Sequence, residues 1–95
     1  MQTLTEDQIQ TRLDAEAPEW SDAGGSIQRT YQFDDFIEAI AFVNKVADAA
    51  EAAQHHPDIL VRYNKVTLTL TTHDAGGITD NDFSLARRAD SAAED

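Results

Sequence analysis

The chain has 95 residues, 18 acidic and seven basic side chains, a formal net charge of −11 and no cysteine. This length predicts one domain, residues 1–95, with one modest core, and the lack of cysteine excludes a disulfide framework and a thiolate metal site. The negative charge would repel nucleic acid phosphates and anionic lipids, which argues against binding to DNA or to a membrane. Because the sequence has neither an apolar run of membrane length nor a signal peptide at Met1, we expect a cytoplasmic protein.

The acidity also indicates the salt concentration to which the protein is adapted. Aspartates occur in every segment, and the chain has only two lysines, Lys45 and Lys65. Repulsion between surface carboxylates destabilises a small fold in dilute buffer, whereas molar salt reduces the Debye length to about 3 Å. We therefore expect a protein adapted to a high-salt cytoplasm, with an ordinary acidic protein as the alternative.

A capping-box pattern at residues 5–8 predicts a first helix that runs to about Ala15 and buries Ile9 and Leu13. Pro18 prevents its continuation, since proline cannot occupy a helix interior without loss of a hydrogen bond.

Two strands, at residues 19–21 and 26–33, are predicted to follow, joined by a turn at Gly24-Gly25. Alternate residues of the second strand share one face: Ile27, Arg29, Tyr31 and Phe33. The arginine in this set argues against a fully buried face, so we expect an edge strand or a partner surface.

Asp34 and Asp35 are suitable caps for a long second helix, because the positive end of the helix dipole favours carboxylates. Apolar residues then recur at helical spacing: Phe36, Ile40, Val43, Ala47 and Ala50. This stripe predicts the buried face, with Phe42 and Val46 at its margin. Pro57 ends the helix by disfavouring helical geometry at the residue before it.

The second hairpin organises the predicted site. Residues 59–63 form its first strand, and residues 66–72 alternate apolar side chains with threonine, which is the period of a β-strand. With Asn64-Lys65 as the turn, Val61 is predicted to lie opposite Leu68. Continued past the strand ends, this register brings together the three histidines of the chain: His55, His56 and His73.

Gly76-Gly77 breaks the chain after this hairpin, and residues 79–82 form a second capping box at the start of the last helix. The segment from Ala89 to Asp95 is predicted to fray. Two hairpins joined by a long helix indicate an α+β fold, with a single four-stranded antiparallel sheet, helices packed on one face and the order α-β-β-α-β-β-α.

Three histidines at one hairpin end predict either an acid/base site or a metal site. The metal site is the weaker interpretation, because adjacent His55 and His56 would point to opposite sides of an extended chain. Asp82 is explained more readily as a helix cap than as a catalytic group, and Trp20 as part of the core. Glu51 fits a solvated helix residue and a site residue equally well.

Several short motifs follow one another along the chain: Glu51-x-x-x-His55-His56-Pro57, Tyr63-Asn64-Lys65-Val66, Thr72-His73, Gly77-Ile78-Thr79 and Asp82. Each is weak alone, but their joint order and spacing are specific and resemble the pterin-4a-carbinolamine dehydratase family. The resemblance is densest over residues 51–86 and extends more weakly through Trp20 and residues 31–36. The chain departs from the family in a shorter turn at residues 22–25 and at Asp74-Ala75.

The resemblance implies loss of water from a 4a-hydroxytetrahydropterin to give the quinonoid dihydropterin. It also implies a homodimer or homotetramer that needs no metal and no organic cofactor. His55 and His73 would be the acid/base pair, and imidazole suits both roles because its unperturbed pKa is about 6.5. Glu51 would orient an imidazole. Other residues would hold the pterin or shape its pocket: His56, Pro57, Thr72, Asp74 and Ala75.

The alternative is a non-catalytic protein-interaction module that keeps the same fold. The presence of all three histidines argues against it, because a partner module has no need of the complete set. The family's role as a partner of a transcription factor is not carried over, since no residue of this chain argues for it.

Overall fold

The computed structural model of the chain describes residues 2–94. It contains helix α1 (Glu6–Glu16), strands β1 (Ser21–Asp22) and β2 (Ile27–Gln32), helix α2 (Phe36–Ala53), strands β3 (Asp58–Arg62) and β4 (Lys65–Leu70), a short 3₁₀ helix (His73–Ala75) and helix α3 (Asp80–Glu94). The four strands form one antiparallel sheet in the order β1-β2-β4-β3. The predicted α+β fold and its element order are confirmed.

The helices begin where the caps predict. Thr5 and Gln8 form both arms of the capping box of α1, and the Asp35 side chain accepts a hydrogen bond from the Glu38 amide at the start of α2. These caps satisfy amides that the first helical turn leaves without a partner.

Strand β2 lies inside the sheet, so the prediction of an edge strand is wrong. Arg29 is tolerated on its helix-facing side because its guanidinium contacts the Asp90 carboxylate at 2.7 Å and lies 4.2 Å from the centroid of the Tyr31 ring. The helices therefore cover this face, and the charge is paired within it.

The buried face of α2 is rotated from the predicted stripe. Ala39, Phe42, Val46 and Ala50 are buried, whereas Phe36 and Ala47 of the predicted stripe are exposed. The buried set contacts both the sheet and α3, and the Phe42 ring packs 4.6 Å from that of Tyr31. The prediction assumed a single packing partner for α2. In the structure α2 packs against both the sheet and α3.

The hairpin turn of β3 and β4 is Tyr63-Asn64, so the predicted register is wrong by two residues. Val61 lies opposite Val66 rather than Leu68. Asn64 is fixed in the turn because its side-chain amide donates to the Phe33 carbonyl and its own carbonyl accepts from the Phe33 amide, both at 2.8 Å. A shift of two residues leaves every side chain on its predicted face.

Helix α3 continues to Glu94, so the prediction of fraying is wrong for residues 89–94, and Asp95 lies outside the described residues. Asp90 ties this end to the core, because its Oδ1 accepts hydrogen bonds from Trp20, Arg29 and Tyr31. Trp20 is buried in the core, as predicted. Among residues 2–94, no helix is both long and apolar enough to cross a membrane.

Candidate active site

The end of α2 delivers the first two histidines. Gln54 closes the helix in the left-handed conformation, with φ of 53°, and turns the chain toward β3. His55 follows directly, with only 11% of its side chain exposed. Its imidazole Nε2 lies 2.5 Å from Oδ1 of Asp82, the third residue of α3.

Asp82 is fully buried and connects both histidine-bearing segments. Its Oδ2 accepts hydrogen bonds from the Thr79 amide and from the Thr72 hydroxyl, each at 2.9 Å. Thr72 directly precedes His73, so a single carboxylate joins the end of α2 to the end of β4. The amide contact confirms the predicted cap, and the contact with His55 adds a second role.

His56 points away from this buried network and toward α2. Its Nε2 lies 2.6 Å from a carboxylate oxygen of Glu51, and the side chains are 60% and 72% exposed. The imidazole that Glu51 contacts is thus that of His56, although Glu51 lies one helical turn before His55 in the sequence.

The segment after β4 carries the remaining predicted residues. His73, Asp74 and Ala75 form the 3₁₀ helix, in which His73 and Asp74 are exposed and Ala75 is half-buried. The Ala75 amide already donates to the Thr72 carbonyl at 3.0 Å, which leaves it less able to bind a pterin edge. Pro57 is half-buried at the entry to β3.

The contact with Asp82 indicates which tautomer the His55 imidazole adopts. A carboxylate accepts hydrogen bonds, so Nε2 of His55 carries the hydrogen that it donates to Asp82. In the neutral ring Nδ1 is then the nitrogen with a lone pair, directed away from the buried carboxylate. Such an arrangement holds an imidazole in one tautomer and one orientation.

Within residues 2–94, no three histidine or carboxylate side chains are placed to hold one metal ion. His55 and His56 instead engage separate carboxylates on α3 and α2.

Sequence reasoning underestimated Asp82. The capping box at residues 79–82 explained its identity sufficiently, so nothing required a second role. The available signal was the threonine before His73, because a hydroxyl at that position can reach a carboxylate that also caps the next helix. Asp90 was missed altogether, since its three donors lie 59 to 70 residues away in sequence.

The chain is similar to known proteins over most of its length. The family model for Pterin 4 alpha carbinolamine dehydratase matches residues 2–92. A protein of Picosynechococcus named "Putative pterin-4-alpha-carbinolamine dehydratase" is 59% identical over 83 residues, covering 87% of this chain and 89% of that protein. One of the same name from Koribacter versatilis is 55% identical over 86 residues, covering 90% of each chain.

Two solved structures share the fold. A transcriptional coactivator/pterin dehydratase from Brucella melitensis superposes with a TM-score of 0.90 at 35% identity, over 96% of this chain and 98% of that one. A pterin dehydratase-like protein described as a RuBisCO assembly factor has a TM-score of 0.69 at 22% identity, over 79% and 89% of the two chains. The second likeness shows the fold alone. By its family match and by these identities over most of both chains, the protein belongs to the pterin 4 alpha carbinolamine dehydratase family.

Proposed function

We propose that this protein removes water from a 4a-hydroxytetrahydropterin, giving the quinonoid dihydropterin, by general acid/base catalysis with His55 and His73. The observation that carries the proposal is the buried contact between His55 Nε2 and Asp82, at 2.5 Å. A buried carboxylate that orients an imidazole beside an open surface is a recurring arrangement in acid/base sites.

The elimination needs two proton movements. One imidazole takes the proton from N5 of the pterin, the N5–C4a double bond forms, and the C4a–O bond breaks as the second imidazole protonates the departing hydroxyl. Water leaves, and no electrons are gained or lost overall. His55 would act through Nδ1, and His73 would supply the partner imidazole from the 3₁₀ helix.

His56 and Glu51 are proposed to hold the pterin rather than to move a proton. Both are exposed at the edge of the site, and their mutual contact positions the His56 ring. Pro57 and Thr72 would shape the pocket, and Asp74 would offer its backbone to the donor–acceptor edge of the pterin.

The test is the dehydration rate of enzymatically generated 4a-hydroxytetrahydropterin, followed by absorbance. The wild type should accelerate the reaction, and His55→Ala should reduce kcat/KM by about 10²- to 10⁴-fold, the usual contribution of a general acid or base. Gln10→Ala, an exposed position on α1, is the matched control and should retain wild-type activity. Equal rates for His55→Ala and the control would contradict the assignment of His55.

The competing function is a non-catalytic interaction module. A pterin dehydratase-like protein with this fold has been described as a RuBisCO assembly factor. The intact set of three histidines and the buried Asp82 favour the enzyme, because a partner surface does not require an imidazole held by a buried carboxylate.

We further propose a homodimer or homotetramer in a high-salt cytoplasm. Exposed apolar side chains on α2 and β3 support self-association: Phe36 at 47%, Ile37 at 75% and Leu60 at 55% exposure. The net charge of −11 supports the high-salt environment, because dissolved salt screens the repulsion between surface carboxylates.

A further inference from the structure

Two threonine hydroxyls lie in contact beside the buried carboxylate of Asp82. Oγ1 of Thr72 and Oγ1 of Thr79 are 2.6 Å apart, and Thr79 is fully buried. The backbone fixes both residues, because the Thr72 amide donates to the Gly77 carbonyl at 2.9 Å and Thr79 directly precedes α3. Among residues 2–94, every buried side-chain nitrogen and oxygen has a hydrogen-bond partner. The hydrogens available therefore determine the direction of each bond in this cluster.

The hydroxyl hydrogens point toward Asp82. The Asn81 amide can only donate, so Thr79 Oγ1 accepts its hydrogen at 3.2 Å. Within the described part of the chain, the only other hydrogen-bond partner of the Thr79 hydroxyl is Thr72. When Thr79 donates to Thr72, Thr72 keeps its own hydrogen for Oδ2 of Asp82, 2.9 Å away. The opposite direction would leave the Thr79 hydrogen without an acceptor and set the Thr72 oxygen against an ionised carboxylate oxygen.

The carboxylate of Asp82 thus accepts from three donors. Oδ2 receives the Thr72 hydroxyl and the Thr79 amide, and Oδ1 receives Nε2 of His55. A hydrogen bond to a carboxylate stabilises its ionised form. The same bond draws negative charge toward the donor, so the carboxylate attracts a neighbouring imidazolium less strongly. The Thr72 hydroxyl therefore competes with His55 for the charge of one buried group.

No second charge contacts the His55 imidazole. Among residues 2–94, Asp82 alone forms a side-chain hydrogen bond or an ion pair with it. The elements around His55 carry other titratable side chains, all of them exposed: Glu51, His56, Asp58, His73, Asp74 and Asp80. Water and salt screen the effect of exposed charges on a half-buried ring. The donors around Asp82 are therefore the principal control on the protonation of His55.

We propose that the hydroxyls of Thr72 and Thr79 adjust the basicity of His55 through Asp82. A carboxylate without these donors would hold the imidazolium form of His55 tightly, which would hinder the release of its proton. With them, the imidazole exchanges a proton more readily, as an acid/base group must. Both threonines are positioning residues, since they reach His55 only through the carboxylate. The consequence for catalysis rests on the proposed dehydratase activity, whereas the effect on His55 itself needs no substrate.

The test is an NMR titration of the imidazole signals. The chain has only three histidines, so the His55 signal is identified by its loss in His55→Ala. We expect His55 to lose its proton at a higher pH in Thr72→Val than in the wild type, because valine has a similar shape and no donor. Thr79→Val should shift the titration in the same direction but less, since it acts one hydroxyl further away. Thr72→Ser, which keeps the hydroxyl, should restore the wild-type titration.

A second threonine pair provides the control. The hydroxyls of Thr30 and Thr67 are 2.7 Å apart on the exposed face of the sheet, and Thr67→Val should leave the His55 titration unchanged. A folded Thr72→Val protein in which His55 titrates as in the wild type, or at lower pH, overturns the proposal. An equal shift of all three imidazoles also overturns it, because that result reflects a general change of charge or fold. If Thr72→Val does not fold, the same criteria apply to Thr79→Val.

The catalytic consequence is measured as the pH profile of kcat/KM. In Thr72→Val, the limb of the profile that His55 governs should move to higher pH, and the other limb should stay in place. If His55 is the base, the loss on the acidic side should be about tenfold. A loss that is equal at every pH indicates a packing role and overturns the proposal. The predicted titrations in a wild type without dehydratase activity would instead refute the proposed function and leave this inference intact.

Discussion

The carboxylate of Asp82 serves the fold and the site at once. One oxygen caps α3 and accepts from Thr72, and the other holds His55. Local sequence rules identified the cap because Thr79 and Asp82 are three residues apart. The contact with His55 spans 27 residues and depends on how two helices pack, so no local rule predicts it.

At this scale we predict that Asp82→Asn lowers kcat/KM by about 10- to 100-fold, because the amide no longer fixes one tautomer of the imidazole. Glu51→Gln is the matched comparison, since it removes the charge from the other carboxylate that contacts a histidine. It should cost less than about tenfold, because an exposed pair contributes little. Comparable losses in the two variants, measured on protein that remains folded, would contradict a special role for the buried group.

At the scale of the elements, the C-terminal half of α3 is held to the rest of the fold by the side chain of Asp90. Asp90 receives three donors through one oxygen: Trp20 at 3.0 Å, Arg29 at 2.7 Å and Tyr31 at 2.5 Å. These bonds join α3 to β2 and to Trp20, the residue directly before β1. They explain why the last turns are ordered although the sequence there contains mostly alanine and acids.

Asp90→Ala should therefore lower the free energy of unfolding by about 3 kcal/mol or more, because it leaves a partly buried arginine and two further donors unpaired. Urea denaturation in molar salt measures this change. Asp48→Ala, at an exposed position on α2, is the control and should change the stability by less than about 0.5 kcal/mol. If Asp90→Ala and the control unfold at the same urea concentration, the hydrogen bonds of Asp90 do not contribute to stability.

The same cluster predicts an alkaline transition. Burial, together with the hydrogen bond to Asp90 and its negative charge, raises the pKa of the Tyr31 phenol above its usual value of 10.0. A pKa that is higher in the folded state than in the unfolded state gives stability that is complete below about pH 10 and is lost as the pH rises further. The difference in unfolding free energy between wild type and Tyr31→Phe should be constant up to about pH 10 and shrink above it. A difference that grows above this pH would contradict the assignment.

The features that the sequence did not predict correctly depend on contacts between elements. Caps and prolines are local, so the helices and their starting points could be read from the sequence. The turn at Tyr63-Asn64 could not, because it depends on hydrogen bonds to Phe33, the residue directly after β2. The face of α2 was misplaced for the same reason, since α3 covers a side that the sequence alone leaves open.

For the whole molecule, charge is the dominant property. With −11 spread over 95 residues, mutual repulsion should weaken the folded state at low ionic strength. We predict that the Tm rises between dilute buffer and molar chloride, because the Debye length falls from about 30 Å at 0.01 M to about 3 Å at 1 M. A Tm that is constant or falls over this range would contradict adaptation to high salt.

The central claim is that His55 and His73 act together in one dehydration step. The most direct measurement is the dehydration rate of 4a-hydroxytetrahydropterin in molar salt by the wild type, His55→Ala, His73→Ala and the double variant. We predict rapid turnover by the wild type and a large loss in each single variant. The double variant should lose little more than the worse single variant, because groups that act as a unit are not additive. A folded, oligomeric wild type that leaves the uncatalysed rate unchanged would contradict the account.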